Sequence, residues 1–306
     1  MATKQKDGQA VIYNMITEKI EELLEAGTVP WHKPWISRRS VQRNGVSGKA
    51  YRGINVWLLA STKSVMGYSS DLWFSFKQVQ ERKGQVKKGE KGTIVVFWKP
   101  MPYTVVDEKT GDEKQKTYML LRYYRVFNLD QTEGVKLTPK VEKLIERIDE
   151  PVEFTPIQEA EQVVMEWAEK PVTFQGADAA YYVPARDEVH MPDRQDFDSA
   201  ETYYATLFHE YSHATGHKSR LDRKSVQDAA PFGSEVYSEE ELVAEMASAF
   251  ICGTVGISPA VIGNSAAYIK HWLGKLKDDR RMIVFAAQRA QKAADMILGV
   301  EKEEVE

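Results

Sequence analysis

Apolar residues at 11, 12, 15, 16, 20, 23 and 24 recur at helical spacing and predict an amphipathic helix over 9–26, with Gly27 as its stop. The following "VPWHKPW" reads as extended chain, because each proline pushes its predecessor out of the helical region. "INVWLLASTK" reads as a second helix and "WFSFKQVQERKG" as a short third one ending at Gly84. The pattern then changes: 91–100 and 116–131 are rich in β-branched and aromatic residues and read as strands. The charged "VVDEKTGDEKQK" between them reads as a hairpin tip turning at Gly111.

Three prolines and mixed charge mark 139–160 as a linker between residues 1–138 and 161–306. Beyond it "AEQVVMEWAEK" is helical, "AAYYVP" and "DEVHMP" are short strands, and "SAETYYATLFHEYSHATG" is a long helix. The remainder is mostly helical. The fold class is therefore α+β with two domains: a basic α/β module, then a mostly helical domain with a small β-sheet.

Charge sharpens this division. Residues 1–138 hold 23 Lys and Arg against 14 Asp and Glu, a net of +9, whereas 139–306 hold 18 against 31, a net of −13. Such asymmetry points to two modules with different partners. The single cysteine, Cys252, excludes an intramolecular disulfide framework. The N-terminus has no apolar signal core and no run is long enough to span a membrane. A cytoplasmic protein is the expectation.

The C-terminal chemistry centres on "HEYSH". On a helix, His209 and His213 at i and i+4 share a face and can hold one metal ion, with Glu210 beside them as candidate general base for a water at the open coordination position. Two imidazoles make half a shell, so a further ligand is required. His217 follows a helix-ending glycine, and the position where the metzincin spacing needs its third histidine holds Ser219. The remaining candidates are carboxylates of "SEEELVAEMASAF". Glu241 lies 28 residues after His213, Glu245 follows one turn later, and Glu239 and Glu240 read as helix-start charges behind Ser238 as N-cap. "ELVAE" resembles the E-x-x-A-D helix of several H-E-x-x-H peptidase families, which implies Glu241 as ligand and Glu245 as the carboxylate orienting a histidine. The exchange of those two roles stays open. Zn2+ is the expected cofactor, with Mn2+ as the alternative, and the implied chemistry is that of a zinc endopeptidase. Tyr237, Tyr268 and His271 are unranked candidates for steadying an oxyanion.

The N-terminal signal is compositional. "RKGQVKKGEKGT" supplies Lys83, Lys87, Lys88 and Lys91 beside the strand bearing Trp98, and "WHKPWISRRSVQRNGVSGKAYRG" supplies Arg38, Arg39, Arg43, Lys49 and Arg52. Cations for phosphates beside rings for bases suit single-stranded nucleic acid.

Taken together, "ITEKIEELLEAGTVPWHKPW", "YRGINVWLL", "KKGEKGTIVVFWK", "RYYRVFNLDQTEG", "YYATLFHEYSHATGHKSRLDR" and "FGSEVYSEEELVAEMASAF" resemble the ArdC-type antirestriction proteins of plasmids and phages. The resemblance covers nearly the whole chain. It implies a single-stranded-DNA-binding N-terminal domain, a zincin-like metallopeptidase domain acting on a still unknown protein substrate, and protection of transferred DNA from host restriction. Two alternatives stand beside it: a DNA-binding protein with an inert metal site, and a peptidase whose basic domain recruits a protein partner. Oligomeric state is not legible in the sequence.

Overall fold

In the computed structural model, residues 2–26, 29, 41–106, 113–149, 156–227, 235–257 and 266–300 are described. Helix α1 (Ala2–Glu25) buries Ile12, Ile16, Ile20 and Leu24, the stripe its apolar spacing demands. A four-stranded sheet follows, built from β1 (Arg43–Asn44), β2 (Leu72–Ser75), β4 (Thr93–Val106) and β5 (Glu113–Asn128) in the order β1-β2-β5-β4. Helix α2 (Ile54–Met66) packs on it, and β3 (Gln85–Val86) pairs with β6 (Thr132–Glu133) in a separate ribbon.

The short third helix expected over 73–84 is only half present. Leu72–Ser75 is a strand, with Trp73 and Phe74 wholly buried, and α3 (Phe76–Glu81) begins after it. Ser75 sets the break: its hydroxyl accepts from the Gln78 amide while the Gln78 side chain accepts from the Ser75 amide, a capping box. Gly45 beside this strand has no alternative, since a Cβ there would lie 1.9 Å from the Phe74 ring.

The two long strands form one antiparallel hairpin registered from Thr93↔Val126 to Val106↔Glu113, longer than the sequence pattern suggests. Its expected tip at Gly111 lies outside the described residues. The stretch read as a linker carries α4 (Pro139–Asp149) and α5 (Pro156–Glu166). Val141 of α4 is buried against Leu72, Phe74 and Val79.

In the C-terminal half a three-stranded sheet, β7 (Val172–Phe174), β8 (Tyr181–Val183) and β9 (Glu188–His190), runs in the order β7-β9-β8. It leads into α6 (Ala200–Ala214), the short α7 (Lys224–Gln227), α8 (Glu235–Thr254), α9 (Ala266–Asp278) and α10 (Met282–Ile297). One hydrophobic cluster crosses both halves. Ile16 and Ile20 of α1, Trp57 of α2, and Val96 and Leu121 of the hairpin pack with Phe250 of α8 and Ile283 of α10. Trp57 stacks on Phe250 at 4.9 Å between centroids, and Trp98 meets Phe285 at 5.9 Å. No described helix is long and apolar enough to cross a membrane.

Candidate metal centre

Helix α6 starts at Ser199, whose side chain accepts from the Thr202 amide, and runs unbroken through the motif. His209 and His213 therefore project one turn apart from one face, with Nε2 atoms 3.2 Å from each other. Helix α8 crosses that face, and Glu241 brings Oε2 to 3.4 Å from His209 Nε2 and Oε1 to 3.5 Å from His213 Nε2. The three donors lie within 4.8 Å of one another. Tetrahedral zinc with bonds of about 2.0–2.1 Å holds its ligands about 3.3 Å apart, so these separations fit a common cation.

The local electrostatics agree with that fit. Burial alone would lower the pKa of His209. The hydrogen bond to Glu241 and the charges of Glu210, Glu241 and Glu245 outweigh it and raise the pKa to about 9. The site thus stabilises positive charge between the imidazoles.

The free ring nitrogen of His213 has its own carboxylate. Glu240 Oε1 lies 3.3 Å from His213 Nδ1. Glu240 also accepts from Arg223 Nη2 at 2.6 Å, from Arg223 Nε at 3.1 Å and from Ser225 Oγ at 2.5 Å. Burial pushes its pKa up, but the His213 hydrogen bond and the Arg223 charge hold it at about 2. Arg223 is buried as well, donating further to Thr215 Oγ1 and Ser212 O. The chain can turn back this closely because residue 216 is glycine: a Cβ there would lie 2.4 Å from Val226 and 3.0 Å from Arg223.

This corrects two readings of the sequence. Helix α8 begins at Glu235, so Ser238 lies within its first turn and is no N-cap. Glu240 is not a surface charge at a helix start, and Glu239 is ion-paired with Arg289 of α10. The carboxylate on His213 Nδ1 is Glu240, the residue the sequence reads as a helix-start charge. Glu245, one turn beyond Glu241, acts on His209 through its charge. The doublet Glu240–Glu241 followed the motif in plain view, but only Arg223 distinguishes its members.

Glu210 is buried at the floor of a cleft of ≈ 800 Å³ that also exposes His209, His213 and Glu241. The opposite wall is β8 and the turn after it, Tyr182 to Ala185. The stretch "DEVHMP", which the sequence offers as an edge strand lining a cleft, instead supplies the central strand β9, and "AAYYVP" supplies the edge strand β8 facing the site. His217 lines the rim with Nδ1 2.8 Å from Ser219 Oγ, away from the three-donor cluster. His271 is exposed on α9 and absent from the cleft lining, and the side chains of Tyr237 and Tyr268 lie outside the described residues.

The basic residues of the N-terminal half differ in exposure and in partners. Lys49, Lys83, Lys88 and Lys91 are exposed, and Lys87 donates to Asp130 O at 2.8 Å. Arg43 is half-buried and donates to Gly48 O. Arg52 forms an ion pair with Asp295 of α10, across the junction of the halves. Trp98 is partly covered by that junction through Phe285. Arg38 and Arg39 lie outside the described residues.

Comparison with known proteins accords with both halves. Residues 10–127 match the N-terminal domain of anti-restriction factor ArdC, and residues 158–289 match a zincin-like metallopeptidase family. The Mn(II)-bound crystal structure of the antirestriction ArdC protein from plasmid R388 superposes with a TM-score of 0.71 at 38% identity, covering 94% of this chain and 97% of that one. Its metal-free form gives 0.68 at 39% identity, covering 93% and 96%. The uncharacterized protein y4eC of Sinorhizobium fredii (strain NBRC 101917 / NGR234) is 36% identical over 296 residues, 93% of this chain and 90% of that protein. DNA primase TraC of Escherichia coli is 35% identical over 312 residues, but this chain spans only 28% of its length.

Proposed function

Since the chain belongs to the ArdC family of antirestriction proteins, we propose that it binds single-stranded DNA through its N-terminal half and hydrolyses a protein through a metal centre in its C-terminal half, protecting transferred DNA from restriction. The observation that carries the peptidase reading is the convergence of His209 Nε2, His213 Nε2 and Glu241 on one point, with Glu210 beside it in an open cleft. Zn2+ is the cation the donor set suits, and Mn2+ is the alternative, given the Mn(II)-bound relative.

A bound divalent ion supplies Lewis-acid polarisation of a carbonyl and acidifies water. His209, His213 and Glu241 would hold it, while Glu240 would fix the ring and tautomer of His213 by accepting from Nδ1–H. Glu210 accepts the proton of the attacking water on its carboxylate and returns it to the leaving amine. The edge of β8 offers backbone groups on which an extended peptide can align beside these residues.

The test has two arms. Metal analysis of the purified chain should give about one divalent ion per molecule, and Glu210→Gln should keep the ion while abolishing proteolysis and protection. Protection that survives Glu210→Gln with metal retained would leave DNA binding as the working activity and the metal site as inert.

A further inference from the structure

The β4–β5 hairpin has two faces, and they differ in chemistry. Directly opposed residues share a face, as do alternate residues along each strand. The register sets Phe97 opposite Arg122, Lys99 opposite Leu120, Met101 opposite Tyr118 and Tyr103 opposite Lys116. Tyr124, opposite the buried Val95, continues this face towards the base of the hairpin. The other face carries Val96, Trp98 and Leu121, which pack into the core shared by the two halves, and beside them Met119 and Tyr123, which stay exposed.

Four rings on the first face stay in solvent: Phe97 and Tyr103 are each 43% exposed, Tyr124 38% and Tyr118 36%. They form two edge-on pairs, Phe97–Tyr124 at 5.7 Å and Tyr103–Tyr118 at 5.8 Å. Lys99, Arg122 and Lys116 are interleaved with them, and neither 93–106 nor 114–128 contains an acidic residue. Phe97 and Tyr103 are six residues apart, which at the rise of a strand is about 20 Å. The basic loop 82–92 leads straight into this strand.

We propose that this face of the hairpin, with Phe97, Tyr103, Tyr118 and Tyr124 as stacking platforms and Lys99, Lys116 and Arg122 as phosphate contacts, is the track on which single-stranded DNA lies. The assignment rests on the DNA-binding reading above and gives it a location. Exposed rings without interleaved charge would suit a protein partner, whose interface cores are poor in lysine. Rings alternating with cations suit unstacked bases on a phosphate chain. A duplex keeps its base faces stacked inside and cannot use the rings, so single strands are preferred.

Fluorescence anisotropy with a labelled oligo-dT strand tests this on the full-length chain. Phe97→Ala and Tyr103→Ala should each weaken binding about tenfold or more. Tyr123→Ala removes an equally exposed ring from the opposite face and should change affinity less than twofold. Phe97→Leu keeps the apolar bulk and loses the π-face, so it should behave like Phe97→Ala if stacking is the cause. Lys99→Ala with Arg122→Ala should flatten the dependence of affinity on salt. Full affinity in Phe97→Ala and Tyr103→Ala, with the unaltered chain binding well, would overturn the location and leave the DNA-binding reading standing. Absence of binding by the unaltered chain at low salt would overturn both.

Discussion

Replacing Glu240 by glutamine isolates the carboxylate that positions His213. The side chain keeps its size, and one amide oxygen can still accept from Arg223 or Ser225, but the negative charge is lost. Two effects follow from the geometry. Arg223 becomes a buried cation without its counter-charge, and breaking such a pair costs about 3–5 kcal/mol. Because Arg223 retains Thr215 Oγ1 and Ser212 O, we expect the lower end, about 3 kcal/mol. Separately, His213 loses the acceptor that fixes its tautomer, and changes at such partners weaken metal binding by about 10–100-fold. The assays are chemical denaturation of the metal-free protein for the first effect, and competition with a chromophoric chelator for the second. The decisive comparison is Arg223→Met, which removes the cation but leaves Glu240 on His213. If Glu240→Gln holds zinc within twofold of the unaltered chain, the positioning role is refuted and Glu240 serves only to neutralise Arg223.

Three further outcomes are expected. Glu241→Ala should weaken zinc binding far more than Glu245→Ala, read by metal content after dialysis; the reverse order would exchange their roles. With its pKa raised to about 9, His209 must release a proton to bind metal. Zinc affinity should therefore rise by about tenfold per pH unit between pH 6 and 8, and a flat profile would refute this. In the metal-free fold the same shift adds stability that is complete below the unfolded value of about 6.5 and fades as pH rises through about 9. The third outcome concerns Asp187, behind the cleft wall. Burial raises its pKa, but hydrogen bonds from Arg220 and Tyr182 outweigh that and lower it. Its stabilisation is complete above the unfolded value of about 3.9 and is lost as pH falls through the lower folded value. Asp187→Asn should thus cost stability in urea at pH 7 and progressively less below pH 4.

What was legible in the sequence follows the range of the interactions. His209 and His213 are four residues apart on one helix, so spacing alone sets their common face and leaves Glu210 beside it. Ser75 and Gln78 were legible too, as a capping box within four residues, and would have separated strand β2 from helix α3. The alternation of Phe97, Lys99, Met101 and Tyr103 at period two likewise marks one face of a strand. The order β7-β9-β8 was not legible, because two short strands of similar composition do not reveal which one pairs on both sides. Glu240 and Glu241 are neighbours in the chain with opposite tasks, separated only by a crossing helix and an arginine that returns through Gly216. The charge division between the halves was correct as composition but silent about their contact. Trp98, which the sequence offers as a ring for bases, and its neighbour in the core Trp57 are drawn into that contact by Phe285 and Phe250. Helix α8 carries Glu241 and, nine residues later, Phe250, about 14 Å along the same axis. The helix that brings Glu241 to the two histidines is therefore also the one on which the N-terminal half is seated, a coupling that exists only after long-range packing has brought Trp57 to it.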